Sequence, residues 1–546
     1  MKTTATEGKK KKEKTTTMMM MMIDLMIWVL LVLLGLSNVT HQQSLANSLF
    51  AEEGTSPGFV TRINKKAFSI VSEQLKDRVI KFMSSDGLEF NISAPLTNQV
   101  RFTLRSSRII SFDELFFDSS MSIVPQKGIS WTGTNINVTL LASFSLLTTQ
   151  GEITGNVPLS FDKTNVELLL WTGVNGDGHL KTDLITCKVA ANNLQLQFSQ
   201  ADSTLLANYI PHMQNFIRQT VEQVVCPSFH AELVPVLSNR IMNTPLSASL
   251  FEQYFINYAL LGPVEFTNQA ITLKHRGNAF GILRQGSGRT RLNDFRLPYR
   301  SPPLVLPTSD SGHMIDFYLS NYTLSSLLFW MDQYRKFDYE ISRQATNNSA
   351  LVGYLKTDCG TGDICAGTLF PALGTRFPGG EVVIKSHTVS YPRVVLKKNN
   401  MTIYIDSRVD AFVQQQDRSR RFLTASMNAE VKLDKASFKD FILHGELRID
   451  KFKISDVASL VDGIDEGSLE FLVNALTELI LNEDMAKKLK SGIQLPIMFD
   501  YTQQVGQVNF EDDMIHIAAD FCATDKCSIT ADNKDTEVDY YDTVQG

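Results

Sequence analysis

Two cysteines that bracket a change of sequence period restrict this chain more than any other feature. In the first part of the stretch from Cys187 to Cys226, Val189, Leu194, Leu196 and Phe198 alternate with polar residues. That alternation predicts a strand over the second half of residues 187–198. Leu205, Leu206, Tyr209, Ile210, Met213, Phe216, Ile217, Val221 and Val224 then recur three and four apart, along one face of a helix. Asp202 or Ser203 is expected as its N-cap and Pro227 as its stop. A disulfide between Cys187 and Cys226 would pin this helix to the sheet. Closing a loop of about 40 residues stabilises a fold by roughly 4 kcal/mol in the chain-entropy picture. Two unpaired buried cysteines are the alternative.

Pairing requires an oxidising compartment, and the N-terminus points to one. Lys2, Lys9 to Lys12 and Lys14 precede a methionine run and an apolar core from Leu25 to Leu36. This is the layout of a secretory signal, with residues 1–46 as the leader and export as the destination. The core is about 12 residues, short of the roughly 20 that a membrane span needs. A signal anchor is the alternative, because Asp24 interrupts the run. Six cysteines suit the secretory route. So do glycosylation sequons at Asn91, Asn137, Asn321, Asn347 and Asn400.

At 546 residues the chain exceeds a single core. From Arg62 to Met83, Ile63, Ala67, Phe68, Val71, Leu75, Val79 and Phe82 predict an amphipathic helix. From Leu88 to Phe198 the period shortens, as in Val100–Leu104, Met121–Val124, Ile136–Leu140 and Val166–Leu170, with a turn at Asn175–Gly178. This predicts an antiparallel sheet covered on one face. Leu260–Phe266 and Ala270–Lys274 read as strands of a bridge. Arg284, Arg289, Arg291, Arg296 and Arg300 follow, either an anion-binding or cleavable loop or simply a solvated one. Residues 301–307 read as a stiff proline-rich linker. The plan then recurs. A helix is predicted over Asn321–Tyr334, with Leu324, Leu327, Leu328 and Met331 inward. Strands follow at 382–384, 394–396, 403–405, 429–433 and 443–449. A second long helix is predicted over Ser468–Leu489, with Leu472 and Leu476 inward. The acidic residues after Cys527 predict a disordered tail.

Nucleophile elbows, zinc-binding His-Glu-x-x-His, phosphate loops and dinucleotide fingerprints are absent from the sequence, and the nine histidines are scattered. The expectation is therefore a non-enzyme without a metal site. A net charge of −6 without a basic excess gives no reason to expect a nucleic-acid partner.

Pro57–Ile63, Met121–Ile129, Cys187 with Cys226, Ile256–Pro263, His313–Tyr322 and Gly492–Pro496, in that order, resemble the bactericidal/permeability-increasing and lipopolysaccharide-binding protein family. Members of that family include plasma transporters of phospholipid and cholesteryl ester. The resemblance implies an α+β fold of two elongated barrels in a boomerang with a pseudo-two-fold. Each barrel is a twisted antiparallel sheet wrapped on long helices, and a central sheet joins the two. The expected segments are a first lipid-binding barrel at 58–240, a central sheet and linker at 241–307, a second lipid-binding barrel at 308–521, and an acidic tail at 522–546.

Each barrel is then expected to hold a phospholipid in an apolar pocket. The candidate lining residues are Phe68, Val71, Leu75, Leu206, Tyr209, Met213, Leu324, Leu328, Leu472 and Leu476. Core packing is the alternative reading for every one of them. Cys359 with Cys365 and Cys522 with Cys527 look like local loop disulfides beside the long-range pair.

The chain departs from the pattern at the tip of the first barrel. Endotoxin-binding members are rich in lysine and arginine there, whereas Leu140–Gly151 has no basic residue, and residues 58–255 hold 15 basic against 16 acidic side chains. Arg101, Arg105 and Arg108 form either a smaller basic patch or a solvated strand face. The expectation is a secreted, monomeric phospholipid carrier that touches membrane or lipoprotein surfaces transiently. The alternatives are an innate-immune lipopolysaccharide-binding protein and a protein whose barrels are closed.

Overall fold

The computed structural model describes residues 56–523 and Cys527, apart from 85–90, 243–244, 252, 282, 285–289, 292–296, 298, 309–310, 346–348, 361, 417, 476–488 and 496–500. The expected leader and the acidic residues after Cys527 lie outside the described residues.

The chain enters through strand β1 (Phe59–Asn64), a 3-10 turn and helix α1 (Phe68–Ser84). Helical periodicity predicted helix from Arg62, and this is corrected: residues 59–64 are strand. Both edges of β1 are paired, with Ala270–His275 and with Ile315–Ser320. Two antiparallel partners satisfy all the backbone groups of β1, so tertiary pairing overrides the local period.

Seven strands follow: β2 (Asn91–Thr97), β3 (Val100–Asp113), β4 (Asp118–Val124), β5 (Gly128–Thr148), β6 (Gly151–Val174), β7 (Leu180–Ala190) and β8 (Asn193–Leu196). The order is β2-β3-β5-β6-β7, with β4 paired to β5 and β8 to β6. The β5–β6 hairpin, 21 and 24 residues long, is the spine of this sheet. Val138, Leu140, Ala142, Phe144 and Leu146 point inward from β5, all buried, as a period of two requires.

Helices α2 (Gln200–Leu206) and α3 (Ile210–Met242) come next. The N-cap is neither Asp202 nor Ser203 but Ser199, whose Oγ accepts the Asp202 N–H at 3.2 Å. Pro227 does not stop the helix, which runs through Pro227 and Pro235 to Met242. A proline inside a helix forfeits one hydrogen bond and crowds the preceding turn. Here two tertiary contacts hold the helix on: the buried Phe229 just beyond, and the disulfide at Cys226 just before. That disulfide joins α3 to Cys187 in β7, with a Cα–Cα distance of 5.7 Å. Helix α3 also packs against β2, so it spans both edges of the sheet and covers its open side.

The second half repeats the arrangement. Helix α4 (Asn321–Gln333) precedes a seven-stranded sheet built on the hairpin Arg418–Lys439/Ile442–Ser459. The helix predicted over Ser468–Leu489 begins at Glu466 and is described to Ala475, with Asp465 Oδ1 accepting the Ser468 N–H. Between the units lies a six-stranded sheet that gathers strands from across the chain. Its order is Glu265–Phe266, Ala270–His275, β1, Ile315–Ser320, Met514–Ala523 and Tyr501–Glu511.

In the bridge, only Glu265–Phe266 of the predicted 260–266 strand pairs in a ladder, because Gly262-Pro263 interrupts it. The proline-rich linker is docked: Leu304 and Leu306 pack on Val60, Tyr318 and Met514. Arg284 and Arg291 belong to a small hairpin, Arg300 is exposed, and Arg289 and Arg296 lie outside the described residues. Cys359–Cys365 and Cys522–Cys527 are also bonded.

Candidate functional site

Between α1, α3 and the first sheet lies a cavity of about 760 Å³, a volume that includes its open mouth. Its helical wall is Ile217, Thr220, Val221, Val224, Val225 and Phe229 of α3, with Val79 of α1. Positions 217, 220, 221, 224 and 225 are spaced as one helical face must be. The sheet contributes Ile92 of β2, Ile136, Val138 and Leu140 of β5, Phe161, Thr164 and Val166 of β6, and Val189 of β7. No lining residue is charged, and only Thr164 and Thr220 carry a side-chain polar atom.

The backbone makes this lining in an unusual way. Along β6 the buried positions on the cavity side are Val157, Leu159 and Phe161, then Thr164, Val166 and Leu168, while Ser160 is buried between them. The phase changes at Lys163, which sits at φ +53°. On β5 the phase changes at Asn135, at φ +57°, and the ladder shifts register between Gly133 and Ile136. Paired irregularities of this kind re-aim side chains. They are held from the outside by asparagines. Asn137 Oδ1 accepts the Lys163 N–H at 2.8 Å, and Asn192 Nδ2 donates to the Lys163 carbonyl at 2.8 Å.

An uncharged space of this composition can hold hydrocarbon, at about 0.8 kcal/mol per buried methylene. It presents no nucleophile and no acid–base pair. Among the described residues there is no cluster of three or more metal-ligating side chains, and no helix is long and apolar enough to cross a membrane.

None of the expected lining residues whose side chains are described is among those that line this cavity. Leu75, Leu206 and Met213 are buried in the same apolar core, and Tyr209 packs on it half-buried. Phe68 packs on Phe266 and Ile271 at the junction with the central sheet, and Val71 is half-buried. Leu324 and Leu328 belong to the central core around Trp330 and Phe317. Leu472 falls within the last described helix, while its side chain and Leu476 lie outside the described residues. Ile217, Val221 and Val224 stood on the predicted helical face, and Val79 on the first. Thr164, Thr220 and Phe229 carried no signal as lining residues. Of the sequons, Asn91 is exposed, Asn137, Asn321 and Asn400 are half-buried, and Asn347 lies outside the described residues.

Arg101, Arg105 and Arg108 are all exposed on β3, opposite Leu147, Ser143 and Leu141 of the β5 tip. A register shift between Ser106 and Arg108 corrects their uneven spacing and puts all three on the outer face. The tip turn itself closes without a basic residue, through Thr148 Oγ1 donating to the Gly151 carbonyl.

A family model described as the LBP / BPI / CETP family, C-terminal domain, matches residues 248–523. Bactericidal permeability-increasing protein of Rattus norvegicus is 18% identical over 473 residues, covering 85% of this chain and 94% of that protein. Among solved structures, the crystal structure of lipopolysaccharide binding protein superposes with a TM-score of 0.57 at 16% identity, covering 85% of this chain and 99% of that one. At that identity the superposition speaks to fold alone.

Proposed function

From the premise that the chain belongs to the LBP / BPI / CETP family, we propose that it is a lipid-binding protein that takes phospholipid acyl chains into the cavity between α1, α3 and the first sheet. The observation that carries this reading is the uncharged lining, aliphatic and aromatic but for two threonines. Each methylene buried there contributes about 0.8 kcal/mol before the losses of association are subtracted. The role is binding and carriage, not catalysis. The three disulfides support a route through the oxidising secretory pathway, and the chain acts there as a monomer at membrane or lipoprotein surfaces.

The test is native mass spectrometry with lipid extraction on wild type and Val221→Trp, whose indole would fill the cavity. Wild type is expected to carry phospholipid. The variant is expected to lose at least tenfold in occupancy with unchanged circular dichroism. A wild-type protein that purifies empty and takes up no added phospholipid overturns the reading.

One observation favours a second reading, lipopolysaccharide binding: the exposed row Arg101, Arg105 and Arg108 beside the tip. Guanidinium groups suit phosphate. The balanced charge of residues 58–255 and the uncharged tip turn place this reading second. If it holds, Arg101→Glu with Arg105→Glu weakens endotoxin binding and flattens its salt dependence.

A further inference from the structure

The strand ladder breaks beside the cavity, and the segment that spans the break exposes large apolar side chains. Strand β3 pairs with β5 as far as Asp113 opposite Asn137, and β4 takes over at Asp118 opposite Thr134. On that edge Asn135 and Ile136 of β5 have no ladder partner among the described residues, and Ile136 lines the cavity. Residues 114–117 loop out at this gap. Leu115 is 91% exposed and Phe116 63%. Just before them on β3, Ile110 is 51% exposed, where the ladder shifts register between Ile109 and Ser111.

The loop is anchored at both ends. Phe112 and Phe117 flank it and meet edge to face, with centroids 6.0 Å apart, and Phe117 packs in turn on the buried Trp131. Asp113 Oδ1 accepts the Leu115 N–H at 3.1 Å. Lys76 Nζ of α1 lies over the Phe117 ring at 5.5 Å, and Val79, one turn further along α1, lines the cavity. A leucine and a phenylalanine held in water on an anchored loop forgo the burial that a core would give them, and such exposure marks a contact site. The surrounding charge selects the partner. Asp113, Glu114 and Asp118 flank the apolar pair, and Glu73 and Asp77 lie on either side of Lys76 along α1. Carboxylates at a membrane surface are repelled by an anionic leaflet and not by a zwitterionic one. The place selects lipid over protein, because the gap that the loop spans leads to Ile136 of the cavity wall.

We propose that the loop at residues 114–117 is the element by which this protein docks on zwitterionic lipid, with Leu115 and Phe116 entering the leaflet beside the cavity. This rests on the lipid-binding reading and names the docking element and the charge of the surface it takes. The site is separate from the row Arg101, Arg105 and Arg108, which suits an anionic surface.

The test is co-flotation of the full-length protein with vesicles of phosphatidylcholine alone and of phosphatidylcholine mixed with phosphatidylserine. The proteins are wild type, Leu115→Ser with Phe116→Ser, Glu114→Lys, and Val389→Ser as a control at an exposed apolar residue of the second half. Loading from detergent-solubilised phosphatidylcholine, read by native mass spectrometry, bypasses docking and reports the cavity alone. Wild type is expected to float with phosphatidylcholine and to float less once phosphatidylserine is added. The double variant should lose roughly tenfold or more in vesicle partition, the size of withdrawing one large apolar side chain or more from lipid. Its melting temperature and its loading from detergent should match wild type, which separates lost docking from misfolding. Glu114→Lys should narrow the discrimination against phosphatidylserine, and Val389→Ser should float like wild type. A double variant that floats like wild type, or a wild type that floats better with phosphatidylserine, overturns the proposal. So does a wild type that loads from detergent and floats with neither vesicle, and in all three cases the carrier reading stands. A wild type that takes no phospholipid even from detergent overturns the carrier reading, and the proposal with it.

Discussion

Acid should weaken this fold through the buried His275. His275 is buried in the central sheet, on the strand Ala270–His275 that pairs with β1. Its Nδ1 lies 2.7 Å from the Tyr258 carbonyl, which can only accept, so Nδ1 carries the proton. Nε2 lies 3.1 Å from Thr61 Oγ1 and accepts from that hydroxyl. The ring also packs on Phe59, with centroids 5.2 Å apart. Burial lowers the pKa of His275 from 6.5 to about 4, against a smaller opposing effect of its bond to Tyr258. The unfolded chain therefore binds more protons than the fold between those values. Stability is complete above 6.5 and declines as pH falls towards 4. At about 1.4 kcal/mol per pH unit, the loss is on the order of 1 kcal/mol by pH 5.5 and 2–3 kcal/mol by pH 4.5.

Asp316 acts lower. Asp316 is buried, which alone would raise its pKa, but hydrogen bonds from His516, Asn64 and Ser311 hold it below its ordinary 3.8. Its contribution is present above that value and disappears only below it. Urea unfolding followed by tryptophan fluorescence at pH 7.0, 5.5 and 4.5 reads the effect, for wild type and His275→Asn. Asparagine can still donate to Tyr258, so the variant is weaker at pH 7 but should lose far less stability on acidification. Parallel pH slopes for the two proteins would refute the reasoning.

Cys187→Ser opens the loop across 39 residues of separation and should lower stability by about 4 kcal/mol, read as a drop in melting temperature and in secreted yield. Unchanged values would mean that packing alone holds α3 to β7. Asn192→Ala removes the donor to the bulged Lys163 carbonyl. It should lower stability by about 0.5–1 kcal/mol and, by loosening the turn-in of Thr164, weaken lipid retention. Glycosidase treatment of the secreted protein should reduce its mass, with the exposed Asn91 as the first site occupied. No mass change means that the sequons are not used.

Most of the architecture could be read from period and spacing. Helix α3, the long strands, the long-range cysteine pair and the duplicated plan all follow from residues that repeat every two or every 3.6 positions. The misses share a cause, which is that distant partners decide local structure. Residues 59–64 carry helical spacing and become strand because two remote strands claim both of their edges. Pro227 signals an end that Cys226 and Phe229 overrule from either side. Lining and core could not be separated in the sequence, because Leu75 and Val79 share one helical face and only the second reaches the cavity.

The decisive feature of the cavity did leave a trace. Val157, Leu159 and Phe161 fall on odd positions, while Val166, Leu168 and Leu170 fall on even ones. A strand that keeps its course cannot bury both sets on one face, so the backbone must slip once between Phe161 and Val166. Asn135, Asn137, Asn165 and Asn192 supply side chains suited to left-handed backbone and to capping it. Had the slip been absent, Lys163 would enter the cavity. A buried ammonium without a partner would then oppose every acyl chain brought in. The uncharged character of the cavity is thus set by one extra residue in each of two paired strands, a property of backbone course that composition does not report.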